Sequence, residues 1–279
     1  MSDTRAFPAP GKLNLFLHVT GRRDDGYHEL QTLFQLIDYG DTLSFTPRED
    51  DAIRRVTDLP DIPQEDDLTV RAARALTGAE TPPFGVDIAI DKRLPAGGGL
   101  GGGSSDAATT LQALNAIWGL GFSPERLAQI GLGLGADVPV FVHGMAAWAE
   151  DVGETLSPVA LPTPWYLVLV PPVQVSTAAV FGDPGLTRDS SSITLADFLR
   201  GDARNDCLAT VLARYPLVAE AYRWLNARAE AKLTGTGACL FASLPSVAEA
   251  EQLLAEVPAA VRGEAGTTVS VEAGETQYW

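Results

Sequence analysis

Residues 86–116 read VDIAIDKRLPAGGGLGGGSSDAATTLQALNA. Val86, Ile88 and Ile90 alternate as in a half-buried strand, Gly97 to Gly103 are interrupted only by Leu100, and apolar residues at helical spacing follow. The order is strand, glycine loop, helix. Glycine lets backbone amides approach an anion closely, and a helix start aims free N–H groups and the positive end of its dipole back at the loop. Ser104, Ser105 and Asp106 are each acceptable residues for that start, and Ala107, Leu111, Leu114 and Trp118 form a buried stripe that ends at Gly119. The stretch reads as a phosphate cradle, against the alternative of a linker or close helix packing.

The cradle alone does not name a class. Gly97, Gly99 and Gly102 satisfy GxGxxG, but a dinucleotide fold needs a second parallel strand with an acidic residue roughly 20 residues further on. Here that region is GFSPERLAQIGLGLG, where Ser123, Pro124 and Glu125 read as a helix start. No GK[ST] closes the run, so a Walker A loop fails as well.

The 279 residues suit two domains of average size, and 46% hydrophobic residues are ample to build their cores. Twenty basic against 36 acidic residues give a net charge of −16, which disfavours nucleic acid and anionic membrane as partners. A small anionic ligand then needs a local positive site. Cys207 and Cys239 are the only cysteines, read as two semi-buried thiols in a reducing cytosol. MSDTRAFPAPGK lacks a long apolar core and no run approaches the roughly 20 residues that span a bilayer, so the expectation is a cytoplasmic protein.

From the start of the chain, Lys12 to Thr20 reads as a strand with Leu13, Leu15, Leu17 and Val19 on one face and Lys12, Asn14, Phe16 and His18 on the other. Periodicity alone makes Lys12 a solvated charge at a strand edge. GRRDDGYHEL is a polar turn in which Tyr27 and His28 form either a recognition loop or a lid on the core. Residues 30–37 and 42–45 read as strands joined by a hairpin turn at Asp38 to Asp41, and Asp66 or Asp67 caps a helix over 68–76. After a helix from Pro124, Val138, Val140 and Val142 alternate, which predicts a strand entered through Asp137; by spacing that aspartate is a turn former or a cap. Pro158, Pro162 and Pro164 mark a joint, giving domains at 1–157 and 158–279. Beyond it come a strand at 165–170, a long helix from about Asp206 to Arg228, a short strand at 231–233, LTGTGACLFASL as a glycine turn entering a strand, a helix over 247–257 and a strand over 267–272. That βαββαβ order is the split βαβ, or ferredoxin-like, arrangement.

PAGGGLGGGSSDAA resembles the second motif of the GHMP kinases, the superfamily of galactokinase and homoserine, mevalonate and phosphomevalonate kinases. APGKLNLFL resembles their first motif and LTGTGA their third, in the same order and over nearly the whole chain. GKLNLFLHVTGRRDDGYHELQTLFQLIDYGD, LGADVPVFVHG and LTGTGAC are further similar to the bacterial branch whose acceptor is 4-diphosphocytidyl-2-C-methyl-D-erythritol, in the non-mevalonate isoprenoid route. The resemblance implies an α+β fold of two domains, the first like ribosomal protein S5 domain 2 and holding ATP, the second ferredoxin-like and holding substrate. It implies ATP as phosphate donor, magnesium with it, and phosphorylation of the acceptor's 2-hydroxyl.

By the same resemblance Lys12 and Asp137 form the catalytic pair. Pro95, Ala96, Gly97, Gly98, Gly99, Leu100, Gly101, Gly102, Gly103, Ser104 and Ser105 hold the triphosphate. Asn14 holds the methylerythritol group, Tyr27 and Phe181 sandwich the cytosine, His28 hydrogen-bonds its edge, and Thr177 lies nearby. The chain departs from the family's pattern at Asp67, near the adenine pocket, and at Asp106, beside the phosphates, where asparagine is found in relatives. The resemblance assigns no magnesium ligand.

Overall fold

Two long antiparallel strands, β1 (Arg5–Arg22) and β2 (His28–Pro47), run through the computed structural model, which describes residues 3–24, 26–79, 81–262 and 269–272. β2 does not turn back at 38–41. It continues through that segment because β1 keeps pairing beside it, with a register shift at Pro10/Gly11 that accommodates the irregularity. At Gly40 a Cβ would lie 2.0 Å from the Ala9 carbonyl oxygen, so only glycine lets the two backbones approach there. The expected hairpin is therefore one kinked strand.

On its other edge β2 pairs with elements that arrive later. β3 (Ile53–Arg55) leads to α1 (Leu68–Thr77), whose first turn is capped by Asp67 accepting the Thr69 N–H. β4 (Val86–Asp91) follows, then α2 (Gly102–Trp118), α3 (Pro124–Leu132), α4 (Val138–His143), β5 (Ala147–Glu150) and β6 (Thr155–Pro158). The sheet runs β3-β4-β2-β5-β6, with β1 on β2. The core beneath it is built from Phe34, Leu36, Phe45, Ile88, Leu111, Leu114, Val138 and Val140 among others.

α4 replaces the strand expected from the alternating valines. Val138, Pro139, Val140, Phe141 and Val142 are all buried, so apolar residues occupy every position and their alternation carries no information about period. α2 begins at Gly102, with Gly101 in the left-handed region (φ 75°) as N-cap and no side-chain cap. Ser104, Ser105 and Asp106 thus lie inside the first turns rather than at the cap, and the helix ends at Gly119 as the sequence predicts.

The second sheet takes β7 (Trp165–Leu169), followed by α5 (Thr177–Phe181), α6 (Leu195–Leu199), α7 (Leu208–Arg214), α8 (Pro216–Asn226), β8 (Lys232–Leu233), β9 (Leu240–Leu244), α9 (Val247–Ala255), α10 (Ala259–Arg262) and β10 (Val269–Glu272). The antiparallel order β10-β7-β9-β8 is that of the split βαβ. The helix expected over 206–228 is two, because Pro216 has no N–H to continue α7 and instead starts α8. Thr267 and Thr268 of the expected last strand lie outside the described residues.

Leu17 and Val19 of β1 pack into the core of this second sheet, and a third cluster joins the two layers: Leu13, Ile37, Leu94, Leu100, Tyr166, Val168, Cys239 and Phe241. Both cysteines are buried, and burial pushes each thiol up to about 12.

An ionic cluster of two buried carboxylates and Lys92 pins the strand that feeds the glycine loop. Asp41, in the kinked part of β2, accepts the N–H groups of Arg93 (2.5 Å) and Leu94 (2.7 Å), and Lys92 Nζ bridges Asp41 (2.5 Å) and Asp106 (2.8 Å). Two carboxylates share one ammonium. Burial and the proximity of Asp41 push Asp106 up to about 7 against the pull of Lys92. Its ordinary value is 3.8, so across that interval the folded state keeps a proton the unfolded chain has released. That contribution to stability is full below about pH 4 and lost as the pH rises through about 7. Urea unfolding at stepped pH is expected to show wild-type stability falling relative to Asp106→Asn across this window, by up to about 1.4 kcal/mol per pH unit. A constant difference between the two proteins would contradict it.

Candidate active site

The three glycine-containing motifs meet in space. The Lys12 N–H donates to the Leu100 carbonyl (2.9 Å), tying β1 to the glycine loop. The Cys239 N–H donates to the Gly98 carbonyl (3.0 Å), and the Thr234 hydroxyl donates to the Gly99 carbonyl (3.0 Å), tying the 233–238 turn to the same loop. Gly99 has φ +79°, and a Cβ there would lie 2.2 Å from the Thr234 carbonyl oxygen, so the loop can seat against that turn only without a side chain. Asn205 holds the turn from behind, its amide donating to the carbonyls of Leu233 (2.8 Å) and Gly235 (2.9 Å).

A cavity of about 1010 Å³ lies over this junction. Every residue from Pro95 to Ser105 lines it except Leu100, whose side chain packs in the joining core, and Ser105, which is buried in α2. Lys12, Arg22 and Lys92 supply positive charge to its wall, which a chain of net charge −16 needs in order to receive an anion.

Lys12 is 3% exposed, which overturns the reading of a solvated edge lysine. Its Nζ donates to Asn14 Oδ1 (2.5 Å), sits 3.5 Å from Asp137 Oδ2 and lies 5.3 Å from the centroid of the Phe34 ring. Asn14 is fixed in turn: its amide donates to the Thr32 hydroxyl (3.0 Å), and its backbone N–H donates to the Thr234 hydroxyl (3.0 Å). Asp137, the residue before α4, is a third exposed by side chain and faces the cavity. The alternate-residue rule on β1 and the segment that leads into α4 thus bring Lys12, Asn14 and Asp137 together.

At the other end the cavity is lined by Tyr27, His28, Thr177 and Phe181. Tyr27 is 67% exposed and projects from the turn after β1, so it is not a lid on the core. The rings of His28 and Phe181 stack with centroids 4.9 Å apart and planes 23° apart. Burial, with the guanidinium groups of Arg188 and Arg22, holds the His28 imidazole below its ordinary range, so the ring is neutral at pH 7. The Thr177 hydroxyl shares a hydrogen bond with that of Thr236 (2.9 Å) in the third motif.

Asp67 has both oxygens engaged, Oδ1 by Thr69 and Oδ2 by Arg55 Nη1 (2.9 Å). Burial opposes its ionisation, but the hydrogen bonds from Thr69 and Arg55 hold the carboxyl below the ordinary range. Reasoning from sequence missed Lys92, Thr234, Asn205 and Arg188. Thr234 lies within the quoted LTGTGA, and Lys92 follows the strand that leads into the loop; Asn205 and Arg188 carry no local signal.

Comparison with known proteins fits this geometry. Residues 67–145 match the model of the GHMP kinases N terminal domain. A crystal structure of 4-(cytidine 5'-diphospho)-2C-methyl-D-erythritol kinase superposes with a TM-score of 0.82 at 31% identity, covering 97% of this chain and 99% of that one. Homoserine kinase from Cytophaga hutchinsonii, at 17% identity and a TM-score of 0.64 over 91% of this chain and 89% of that one, shares the fold. The 4-diphosphocytidyl-2-C-methyl-D-erythritol kinase of Halorhodospira halophila is 55% identical, covering 94% of this chain and 92% of its own. That of Pseudomonas aeruginosa (strain LESB58) is 58% identical over 92% of each chain. Likeness of that extent shows that this chain belongs to the 4-diphosphocytidyl-2-C-methyl-D-erythritol kinase family of the GHMP kinases.

Proposed function

We infer that the chain is an ATP-dependent kinase that phosphorylates the 2-hydroxyl of 4-diphosphocytidyl-2-C-methyl-D-erythritol, a step of the non-mevalonate isoprenoid route. The observation that carries the reading of its site is the approach of Lys12 and Asp137 to 3.5 Å in a cavity that has the glycine loop on one side and His28 and Phe181 on another. The donor half is the loop over 95–105, whose amides and the start of α2 stabilise phosphate charge. The acceptor half draws on Asn14, Tyr27, His28, Thr177 and Phe181. We assign nucleotide binding to 1–157 and acceptor binding to 158–279, with Asn14, Tyr27 and His28 contributing to the acceptor side from the first part.

An alcohol is a poor nucleophile, so its proton must leave as it attacks. Asp137 accepts that proton while the acceptor oxygen bonds to the γ-phosphorus and the bond to the β-phosphate oxygen breaks, releasing ADP. Lys12, fixed by Asn14, stabilises negative charge on the acceptor oxygen and the transferring group.

When bound with ATP, magnesium would neutralise phosphate charge. The residues present fit it: Asp106 and Ser104 line the cavity, and Asp106 Oδ1 has no hydrogen-bond partner among the described residues, so these two would hold the ion. Among the described residues no helix is long and apolar enough to cross a membrane. Together with the net charge of −16, the two reduced thiols and the use of ATP, this supports a cytoplasmic enzyme that works on a small molecule rather than on nucleic acid or membrane.

Asp137→Asn should lower kcat by about 10²–10⁴-fold in an assay with ATP, magnesium and the cytidine substrate while leaving nucleotide affinity near wild type. An unchanged rate would remove Asp137 as the base. Tyr27→Ala and Phe181→Ala should each raise KM for the acceptor by about 10-fold or more, with a smaller effect on kcat, since stacking on a base contributes about 1–3 kcal/mol. If both variants kept wild-type KM, an acceptor without a base, as in homoserine or mevalonate kinases, would be the better reading.

A further inference from the structure

Behind the stacked pair of His28 and Phe181 stands an arginine with no part in the chemistry described so far. Arg188 does not line the cavity. Its Nη2 donates to the carbonyls of Phe181 (2.7 Å) and Asp183 (2.7 Å), its Nη1 to that of Leu186 (3.0 Å), and its Nε to His28 Nε2 (3.1 Å). A guanidinium is a donor at every nitrogen and is never deprotonated in proteins. His28 Nε2 must therefore be the bare, accepting nitrogen. In a neutral ring the proton then sits on Nδ1, which has no hydrogen-bond partner among the described residues.

The tautomer decides which base edge the imidazole can read. Cytosine presents N3 as a lone pair, an acceptor; uracil presents N3–H, a donor. An Nδ1–H donor satisfies the first and opposes the second with two hydrogens. We propose that Arg188 is a positioning residue that sets cytosine-over-uracil selectivity by holding His28 as the Nδ1–H tautomer, while its bonds to the Phe181 and Asp183 carbonyls keep the stacking ring in register with that histidine. The proposal rests on the assignment of His28 and Phe181 to the base above. It adds a residue 160 positions away from the histidine, and it gives the pair one shared support.

Two measurements test it. In wild type, ¹⁵N–¹H correlation spectra of the His28 ring, assigned by comparison with His28→Gln, are expected to show the proton on Nδ1 and an unprotonated Nε2; a proton on Nε2 would overturn the proposal. In the second, kcat/KM is measured for the cytidine-linked acceptor and its uridine-linked counterpart. Arg188→Met should lower the cytidine preference about 10-fold or more, mostly through KM for the cytidine substrate. Arg188→Lys, which keeps a donor for Nε2, should retain more of that preference than the methionine variant.

His28→Ala should lose the preference, and in that background Arg188→Met should change the ratio no further, because the arginine acts through the ring. A preference that survives Arg188→Met, or one that falls equally with and without His28, would overturn the proposal alone. A wild type indifferent to the base would overturn the assignment of His28 to cytosine, and this inference with it.

Discussion

The hydrogen bond from the Lys12 N–H to the Leu100 carbonyl is the point at which this molecule is organised. It locks an interior position of the longest strand pair to the middle of the glycine loop, and it does so where the Leu100 side chain enters the core shared by the two sheets. The loop therefore does not hang from β4 as a flexible connection. It is held from below by Leu100, from one side by the Thr234 and Cys239 bonds, and at its entry by Asp41 and Lys92. The proposed role of its amides in holding phosphate gains from such support, because a donor fixed before the substrate arrives costs no reorganisation when charge develops.

Burial of the Lys12 ammonium follows from that arrangement. A buried charge is tolerated when hydrogen-bonded and paired, and Asn14 and Asp137 provide both. Asn14 is in turn anchored to Thr32 on β2 and to Thr234 in the third motif, so the lysine's position depends on both sheets. The proposed catalytic pair joins two unlike elements: a strand carries the cation, and the loop before a short helix carries the carboxylate.

Much of this was legible in the residues. The strand–loop–helix reading of 86–116, the helix from Pro124, the Asp67 cap and the split βαβ order all rest on patterns that local physics enforces, and each is present. Alternation on β1 put Lys12 and Asn14 on one face, but not in the interior, because periodicity tells which residues share a face and not what covers it. The helix over Val138–His143 was hidden by its own burial, and the kink at 38–41 looked like a turn because Gly40 serves a close approach to β1 and not a reversal. The role of Lys92 depends on two carboxylates far from it along the chain, and that of Arg188 on a histidine in another sheet layer. Only the fold makes those neighbours.

The central claim is that donor and acceptor halves converge on Asp137 and Lys12. A crystal structure of the ternary complex with a non-hydrolysable ATP analogue and the cytidine substrate tests it directly. The account predicts the acceptor 2-hydroxyl about 2.6–3.2 Å from an Asp137 oxygen, with the γ-phosphate between that hydroxyl and the amides of the glycine loop. A hydroxyl held against a different group, or a triphosphate bound away from residues 95–105, would contradict it.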